Sequence, residues 1–230
     1  MTDTGRLDPA ALAATRDSLH AVAEHVLAAV LHRATGRIGL RPAPGGFATP
    51  TFDGPAGPTR VAVDGTDLVV DTGGDRRRAP LTTLRAAAEL AGVPPGAPGD
   101  VYPPATPLDL DRPLPLDADV ARRLAAFYAG TAEALRTFLD RHRDEGPAPI
   151  TLWPEHLDLA TSVGEVNYGG SPGDDGRPLP YLYVGPWAPP PTDDFWNEPF
   201  GAARTWPGDV DAEEAVAFFD EGRARLAGAR

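Results

Sequence analysis

The sequence predicts an α+β fold in which antiparallel sheet packs against several helices. Apolar residues recur at helical spacing in several segments, whereas other segments show the two-residue alternation and turn signals of β-hairpins. Strands and helices do not alternate regularly, as they would in a parallel α/β sheet. The chain of 230 residues is therefore predicted to form hairpins and a meander covered by helices.

The first helix is predicted to begin at Asp8-Pro9, because Asp is a favoured N-cap and Pro fits the first helical position. Gly36 is predicted to end it. One apolar stripe follows from the helical spacing of Leu12, Leu19, Val22, Val26 and Val30. His25 and His32 share a different face and lie about 10 Å apart along the axis, too far to hold one ion. We interpret them as exposed or boundary histidines.

Short strands are predicted from Arg37 onward. The segment TRVAVDGTDLVVDT, residues 59–72, has the pattern of a hairpin, with Asp64-Gly65 as its turn signal. The basic run Arg76–Arg78 follows two glycines and is interpreted as a solvated hairpin end. A helix is then predicted from Leu81 to Ala91.

Residues 93–116 are rich in proline and aspartate and show no periodicity, which predicts a linker on the surface. We expect a single domain over residues 1–230, with the alternative of two lobes, 1–92 and 117–230, joined by this linker. Whether the two halves share one sheet is left open.

The second half is predicted to contain two helices with strands between them. A long helix spans residues 117–142, strands follow at 150–160 and 180–184, and residues 188–207 are expected to be irregular. Asp211 with Glu214 resembles a capping box and predicts the start of the last helix.

Composition excludes several classes of chemistry. Each of the 21 basic residues is arginine and there is no cysteine, so disulfides, thiolate metal sites, cysteine nucleophiles and lysine Schiff bases are excluded. A net charge of −12 repels polyanions, so we expect no nucleic-acid partner and no membrane partner. No run of about 18 apolar residues occurs, and the N-terminal residues lack the pattern of a signal peptide. The expected location is cytoplasmic.

The segment LWPEHLD, residues 152–158, concentrates ionisable side chains. Read as a strand, it places Trp153 and Glu155 on one face, and His156 and Asp158 on the other at about 7 Å from each other. Such an aspartate could orient the histidine as a general base. Pro154 predicts an edge or a bulged strand, and a bulge would bring Glu155 towards His156.

The same three ionisable residues are the candidate metal ligands. One histidine with carboxylates suits hard or borderline ions better than zinc. The pattern is a weak one, so we expect no metal, and the cofactor, if there is one, is left open. A metal-assisted hydrolase that uses Glu155, His156 and Asp158 is kept as an alternative function.

Eight aromatic residues concentrate in the C-terminal third, namely Trp153, Tyr168, Tyr181, Tyr183, Trp187, Phe195, Trp196 and Trp206. They are expected either to cover the core beneath loops or to line a small-molecule pocket. In a pocket, Asn167 and Arg204 would supply polar contacts. Arg37 and Arg41 share a strand face and could bind a carboxylate or a phosphate.

The stretch Gly169-Gly170-Ser171-Pro172-Gly173 formally matches the G-x-S-x-G nucleophile elbow. Three features argue against that interpretation. Pro172 has no N–H for an oxyanion hole, the following residues cannot start a helix, and no histidine follows the serine in the chain. Ser171 is therefore interpreted as a turn residue.

Several stretches together resemble an uncharacterised family of small actinobacterial proteins. They are ATGRIGLRPAPGGF, LWPEHLDLA, NYGGSPGD, PYLYVGPW and FWNEPFGA. The resemblance covers most of the chain. It implies a complete cytosolic protein and implies no particular activity.

The leading hypothesis is a protein that binds a small molecule where LWPEHLD, NYGGSPGD and YLYVGPW meet. The first alternative is the metal-assisted hydrolase. The second is a structural or protein-interaction module whose aromatic loops form the contact surface. The identity of the ligand and the oligomeric state are left open.

Overall fold

A computed structural model describes residues 8–206 and 208–228 and shows an α+β protein, as predicted. Helices pack against two antiparallel sheets, one formed by each half of the chain. What was expected of residues 1–7 and of residue 207 lies outside the described residues.

The first helical region consists of helix α1 (Pro9–Val22), a π-helical stretch (Ala23–Ala28) and helix α2 (Ala29–Thr35). Both predicted ends are confirmed. Asp8 caps α1 by accepting a hydrogen bond from the backbone N–H of Ala10 at 3.1 Å. Gly36 ends α2 in the left-handed conformation with φ 71°. The predicted apolar stripe is buried apart from Val30, which is partly buried.

The π-helical stretch changes which residues the helix buries. His25 is only 2% exposed. Its Nδ1 accepts a hydrogen bond from the backbone N–H of Ala97, and its Nε2 donates to the carbonyl oxygen of Thr106, both at 3.0 Å. The prediction that His25 is exposed or at a boundary is therefore wrong. A regular helical period places it off the apolar stripe, but the wider turn shifts that period and residues 93–116 cover this side.

The first sheet contains β1 (Arg41–Ala43), β2 (Gly46–Ala48), β3 (Phe52–Gly54), β4 (Gly57–Asp64), β5 (Asp67–Thr72) and β6 (Asp75–Pro80). Its order is β1-β2-β4-β5-β6, and β3 also pairs with β4. The predicted hairpin is confirmed, since Asp64 lies opposite Asp67 across a two-residue turn that begins with Gly65 at φ 65°. The prediction that Arg76–Arg78 are solvated is also confirmed, because all three are exposed on β6. Arg78 donates to both aspartates at 2.6 Å.

Helix α3 (Leu84–Ala91) begins three residues later than predicted, because Thr83 caps it by accepting from the N–H of Ala86 at 3.1 Å. Residues 93–116 contain neither helix nor strand and are largely exposed, as expected of a surface segment. Backbone amides of this segment donate hydrogen bonds to His25 and Glu24, and these bonds hold the segment against the first helical region. The division into two lobes stays a prediction.

The second half contains α4 (Ala118–Arg141), a short 3-10 helix (Arg143–Glu145), β7 (Thr151–Trp153), β8 (Asp158–Val163), β9 (Val166–Ser171), β10 (Tyr181–Pro186), β11 (Ala202–Thr205) and α5 (Ala212–Gly228). The five strands form an antiparallel sheet in the order β11-β10-β9-β8-β7. Asp117 caps α4, and Asp211 accepts from the N–H of Glu214 at 3.0 Å at the start of α5, so both predicted helix starts are confirmed. β9 lies between the predicted strands 150–160 and 180–184, where no strand was predicted, and β11 lies in the segment that was expected to be irregular.

The prediction of one strand over residues 150–160 is wrong. Residues 154–157 form a turn between β7 and β8, so Trp153 lies directly opposite Asp158. Pro154 cannot donate to a ladder, and Leu157 has a positive φ of 53°, which together turn the chain. The predicted division of these side chains between two strand faces is wrong as well, because Glu155 and His156 lie in the turn. Trp153 is 39% exposed, whereas Leu152 is fully buried.

A backbone bridge joins the edges of the two sheets. The backbone N–H and C=O groups of Leu40, just before β1, and Leu152, on β7, exchange hydrogen bonds of 2.9 and 3.0 Å. One cluster of buried apolar side chains includes members from both halves, such as Phe47 and Phe127. Among the described helices, none combines the length and apolar character needed to cross a membrane.

Candidate functional site

A cavity of about 620 Å³ lies between α1, residues 105–115, the β7–β8 turn and the adjoining ends of β9 and β10. We call it the α1–β10 cavity. Its volume falls in the range of about 300–1,000 Å³ that small-molecule sites occupy. Its charged and aromatic lining consists of Arg16, Asp17, His20, Asp109, Arg112, Glu155, His156, Asp158, Asp174, Asp175, Tyr181, Tyr183 and Phe200.

Helix α1 supplies the cationic part of the wall. Arg16 and His20 are four residues apart, so they lie on one face of the helix. Arg16 is only 7% exposed, and its Nε donates to the carboxylate of Asp17 at 2.9 Å. Its Nη1 is buried and has no hydrogen-bond partner among the described residues. An acceptor brought by a ligand would satisfy this donor.

His20 fixes the β7–β8 turn against α1. Its Nε2 donates to the carbonyl oxygen of Pro154 at 2.8 Å. Burial lowers the pKa of His20, although the nearby Glu24 carboxylate acts in the opposite direction. The neutral ring keeps its proton on Nε2 for this hydrogen bond, which leaves Nδ1 as an acceptor.

The β7–β8 turn is held in a strained conformation. Leu157 adopts the left-handed region with φ 53°, which costs about 1–2 kcal/mol in a residue other than glycine. The buried hydroxyl of Tyr128, on α4, donates to the carbonyl oxygen of Leu157 at 2.7 Å and stabilises this conformation. The turn thereby places Glu155, His156 and Asp158 on the cavity wall.

Asp158 is the most deeply buried carboxyl group of the cavity, at 8% exposure. Its Oδ2 accepts a hydrogen bond from the hydroxyl of Tyr183, whereas its Oδ1 has no partner in the described part of the chain. Burial raises the pKa of Asp158 to about 6, with a further rise from Glu155, while Tyr183 and His156 act against it. Burial and the carboxylate of Asp158 raise the pKa of Tyr183 in turn, so its hydroxyl keeps its proton.

A glycine on the neighbouring strand allows this pairing. Tyr183 on β10 lies opposite Gly169 on β9. A Cβ on Gly169 would stand 2.7 Å from the Tyr183 ring and 2.5 Å from the carbonyl oxygen of Leu159. The ring therefore crosses β9 where no side chain stands, and it reaches Asp158 on β8.

A second tyrosine–aspartate pair lies beside the first. The hydroxyl of Tyr181 donates to Asp174 at 2.7 Å, and the N–H groups of Gly176 and Arg177 donate to the same carboxylate at 2.8 Å. Burial acts against ionisation of Asp174, but these hydrogen bonds outweigh it and lower its pKa. The neighbouring Asp175 stands 3.9 Å from Arg16.

Five of the candidate binding residues line the cavity, namely Glu155, His156, Asp158, Tyr181 and Tyr183, and Ser171 of the rejected elbow lines it as well. The rest lie elsewhere. Tyr168 is fully buried against Phe138 and Phe219, and Arg41 donates to Thr151 at 3.0 Å. Arg37 is exposed. The two candidate arginines therefore form no common anion site with the cavity.

The remaining candidates lie on the surface of the second sheet. The indole N–H of Trp187 donates to Asn167 at 3.0 Å, and both lie outside the cavity lining, as does Trp153. Arg204 stacks over the ring of Phe218 at 4.6 Å. Only two of the eight C-terminal aromatic residues, Trp153 and Trp187, are largely exposed. Most of this aromatic set therefore covers the core, and only the two tyrosines of β10 line the cavity.

Sequence reasoning missed the contribution of α1 and of residues 105–115. One signal was readable: Arg16, His20 and Glu24 recur every four residues and form a polar row on an otherwise apolar helix. Residues 105–115 gave no signal, because a segment without periodicity carries no information about the surface it covers.

Ser171 lies at the end of β9 and lines the cavity, and its Oγ accepts a hydrogen bond from the N–H of Gly173 at 3.2 Å. A bend without a helix follows, unlike the strand–turn–helix of a nucleophile elbow. We expect fluorophosphonate probes to leave the protein unlabelled, and Ser171→Ala to change ligand affinity by only a few-fold. Intact-mass spectrometry checks the first result, and stoichiometric labelling at Ser171 would contradict it.

A second depression, of about 780 Å³, runs between α4 and the turns of the first sheet. Its lining is rich in alanine, and no described side chain in it has a buried polar atom without a partner. The α1–β10 cavity has three such atoms, on Arg16, Glu155 and Asp158. Unpaired buried polar atoms call for an explanation, so we take the α1–β10 cavity as the candidate site despite its smaller volume.

Metal ligation finds little support in this geometry. Within residues 8–206 and 208–228, no group of three or more His, Cys, Asp or Glu side chains is arranged to hold a metal ion. This includes Glu155, His156 and Asp158, the candidate ligands of the hydrolase alternative.

The chain matches no protein-family model, no curated protein and no solved structure.

Proposed function

We propose that this protein binds a small polar molecule in the α1–β10 cavity. One observation carries the proposal: three cavity-lining residues, Arg16, Glu155 and Asp158, each have a buried nitrogen or oxygen without a partner among the described residues. Each such atom costs about 1–3 kcal/mol when left unpaired. A bound ligand with matching groups would recover that free energy.

The lining also fits ligand binding in its composition. Aromatic rings of Tyr181, Tyr183 and Phe200 share the cavity with a small number of convergent polar groups, which is typical of binding sites. The carboxylates and hydroxyls are oriented by hydrogen bonds to one another, so ordering them on binding costs little. The cavity itself, rather than a flat surface, favours a small ligand over a protein partner.

The proposal is tested by filling the cavity. Ala14 lies on α1 and lines the cavity, so Ala14→Trp should occupy part of its volume. Ala10→Trp is the matched control, because Ala10 is an exposed residue of the same helix and lies outside the lining. We expect compounds found by a thermal-shift screen of diverse small molecules to lose at least about tenfold in affinity in Ala14→Trp and to keep their affinity in Ala10→Trp.

Isothermal titration calorimetry on both variants gives these affinities. Ligands whose affinity is equal in the two variants would bind elsewhere and would contradict the proposal. A screen that finds no ligand at all would contradict it as well.

A further inference from the structure

We infer that the ligand of the α1–β10 cavity is an organic cation, a protonated amine or a related nitrogen group, bound between Glu155 and Asp158 and against the rings of β10. This inference rests on the proposed function and adds the chemical class of the ligand.

The charged residues of the cavity lining favour a cation. The lining contains six carboxylates but only two arginines. Carboxylates of Asp17 and Asp175, both exposed to solvent, lie 2.9 and 3.9 Å from Arg16 and offset part of its positive charge. The lining therefore carries more negative than positive formal charge, which favours cations over anions such as phosphates.

Two buried carboxylate oxygens of the cavity favour a ligand that donates hydrogen bonds. Oδ1 of Asp158 and Oε2 of Glu155 are buried and have no donor among the described residues. Asp158 is more than nine-tenths buried, so water cannot easily replace the missing donor. An ammonium group has three N–H donors and a compensating charge, so it supplies what these oxygens lack.

The aromatic rings of the cavity also favour a cation. The ring of Tyr183 stands 6.4 Å from that of Tyr181 and 6.3 Å from that of Phe200, centroid to centroid. Such a group of rings beside carboxylates is a favourable environment for a cation and for the apolar body attached to it. Arg16, whose Nη1 has no acceptor within the described part of the chain, adds a donor for an oxygen atom elsewhere on the same molecule.

Three matched probes test the charge requirement: tyramine, a cation; tyrosol, which is neutral; and desaminotyrosine, an anion. All three share the phenol, which can accept from Arg16. We expect tyramine to bind at least about tenfold more tightly than tyrosol, because hydrogen bonds from an ammonium group to carboxylates are stronger than those from a neutral hydroxyl, and we expect desaminotyrosine to bind more weakly still. Ligand-observed NMR titration at neutral pH measures the three affinities.

Glu155→Gln tests the assigned residue. Oε2 of Glu155 has no hydrogen-bond partner among the described residues, so the variant removes no hydrogen bond at this atom and should fold normally. We expect it to lower the affinity for tyramine by at least about tenfold and to leave that for tyrosol nearly unchanged. The control is Glu133→Gln, an exposed position on α4 outside the cavity lining that changes the net charge equally.

The outcomes separate the inference from the proposed function. If tyrosol or desaminotyrosine binds as tightly as tyramine, and Ala14→Trp abolishes that binding, the cation class is wrong and the binding function stands. The same conclusion follows if tyramine does not bind while neutral or anionic compounds from the screen bind at this cavity. If no compound shows sensitivity to Ala14→Trp, the proposed function fails, and the cation class fails with it.

Discussion

Asp158→Asn is expected to stabilise the protein by up to about 3 kcal/mol above pH 7. The folded state raises the pKa of Asp158 from its usual 3.8 to about 6 through burial. This difference of about two pH units corresponds to about 3 kcal/mol at about 1.4 kcal/mol per unit. Asparagine cannot ionise and can still accept the hydrogen bond from Tyr183, so it avoids the cost of a buried charge.

The dependence on pH has a definite sign. Because the folded pKa is the higher one, the protonated Asp158 contributes stability that is fully present below pH 3.8 and is lost as the pH rises through about 6. The difference in the free energy of unfolding between Asp158→Asn and the wild type should therefore be close to zero near pH 4 and reach its maximum above pH 7. Urea denaturation of both proteins at several pH values measures this difference.

Asp174→Asn is the matched control, because Asp174 also accepts from a tyrosine hydroxyl but has a lowered pKa. Its ionised form contributes stability that is present above the usual pKa of 3.8 and is lost as the pH falls through the lower folded value. Asp174→Asn should thus destabilise the protein at neutral pH. A loss of stability in Asp158→Asn at pH 8 would contradict this prediction. It would mean that interactions in the folded protein offset the cost of burying the ionised carboxylate.

The expected gain in stability bears on function. A buried carboxylate that lowers the stability of the free protein is difficult to explain as part of a structural network, whereas a ligand-binding group commonly carries such a cost. A cation bound beside Asp158 would offset its desolvation. We therefore expect Asp158→Asn to gain stability and to lose affinity for cationic ligands together.

Glu24→Ala is expected to lower the free energy of unfolding by about 3–5 kcal/mol. Glu24 is fully buried in the π-helical stretch. One carboxylate oxygen accepts from the N–H of Ala105 at 2.9 Å, and the other accepts from the N–H of Thr106 at 2.8 Å and from the Thr106 hydroxyl. Alanine would leave these donors without partners and create a cavity.

The same change should loosen one wall of the α1–β10 cavity. Hydrogen exchange should show faster exchange at the amides of Ala105 and Thr106, which Glu24 holds, than in the wild type. The amide of Leu114, which donates to the carbonyl oxygen of Thr82 at 2.9 Å, is the internal reference and should keep its protection. Glu89→Ala, at an exposed position on α3, should change stability by no more than about 0.5 kcal/mol.

A milder variant keeps this prediction testable if Glu24→Ala does not fold. Thr106→Val removes one hydroxyl and keeps both backbone amides, so it should cost about 1 kcal/mol and affect exchange only near residue 106. Unchanged exchange at Ala105 and Thr106 in a folded Glu24→Ala would contradict the anchoring role of Glu24.

The candidate site was predicted in part. LWPEHLD attracted attention because it combines Glu155, His156 and Asp158, and the structure places all three on the cavity wall. The reasoning that put them there was wrong, because it assumed a strand. Pro154 and Leu157 make a turn instead, and the turn brings the ionisable groups of both faces to one side.

The sequence alone determined the local features of the chain. Helix starts at Asp8, Asp117 and Asp211 and the hairpin turn at Gly65 depend on side chains and conformational preferences within a few residues, so they can be read from neighbours. The α+β class follows from such local patterns as well. The rejection of a nucleophile elbow at Ser171 likewise needs only Pro172 and its neighbours.

Only the tertiary structure decided which of these residues meet. Arg16 is about 140 positions from Glu155 and Asp158 in the chain, yet they share one cavity, because α1 packs beside the β7–β8 turn through His20 and Pro154. The burial of Glu24 and His25 depends on a covering segment, residues 93–116, that has no periodicity of its own. The raised pKa of Asp158 depends on desolvation by distant elements. These properties arise from contacts between segments far apart in the sequence, and no local pattern of residues encodes them.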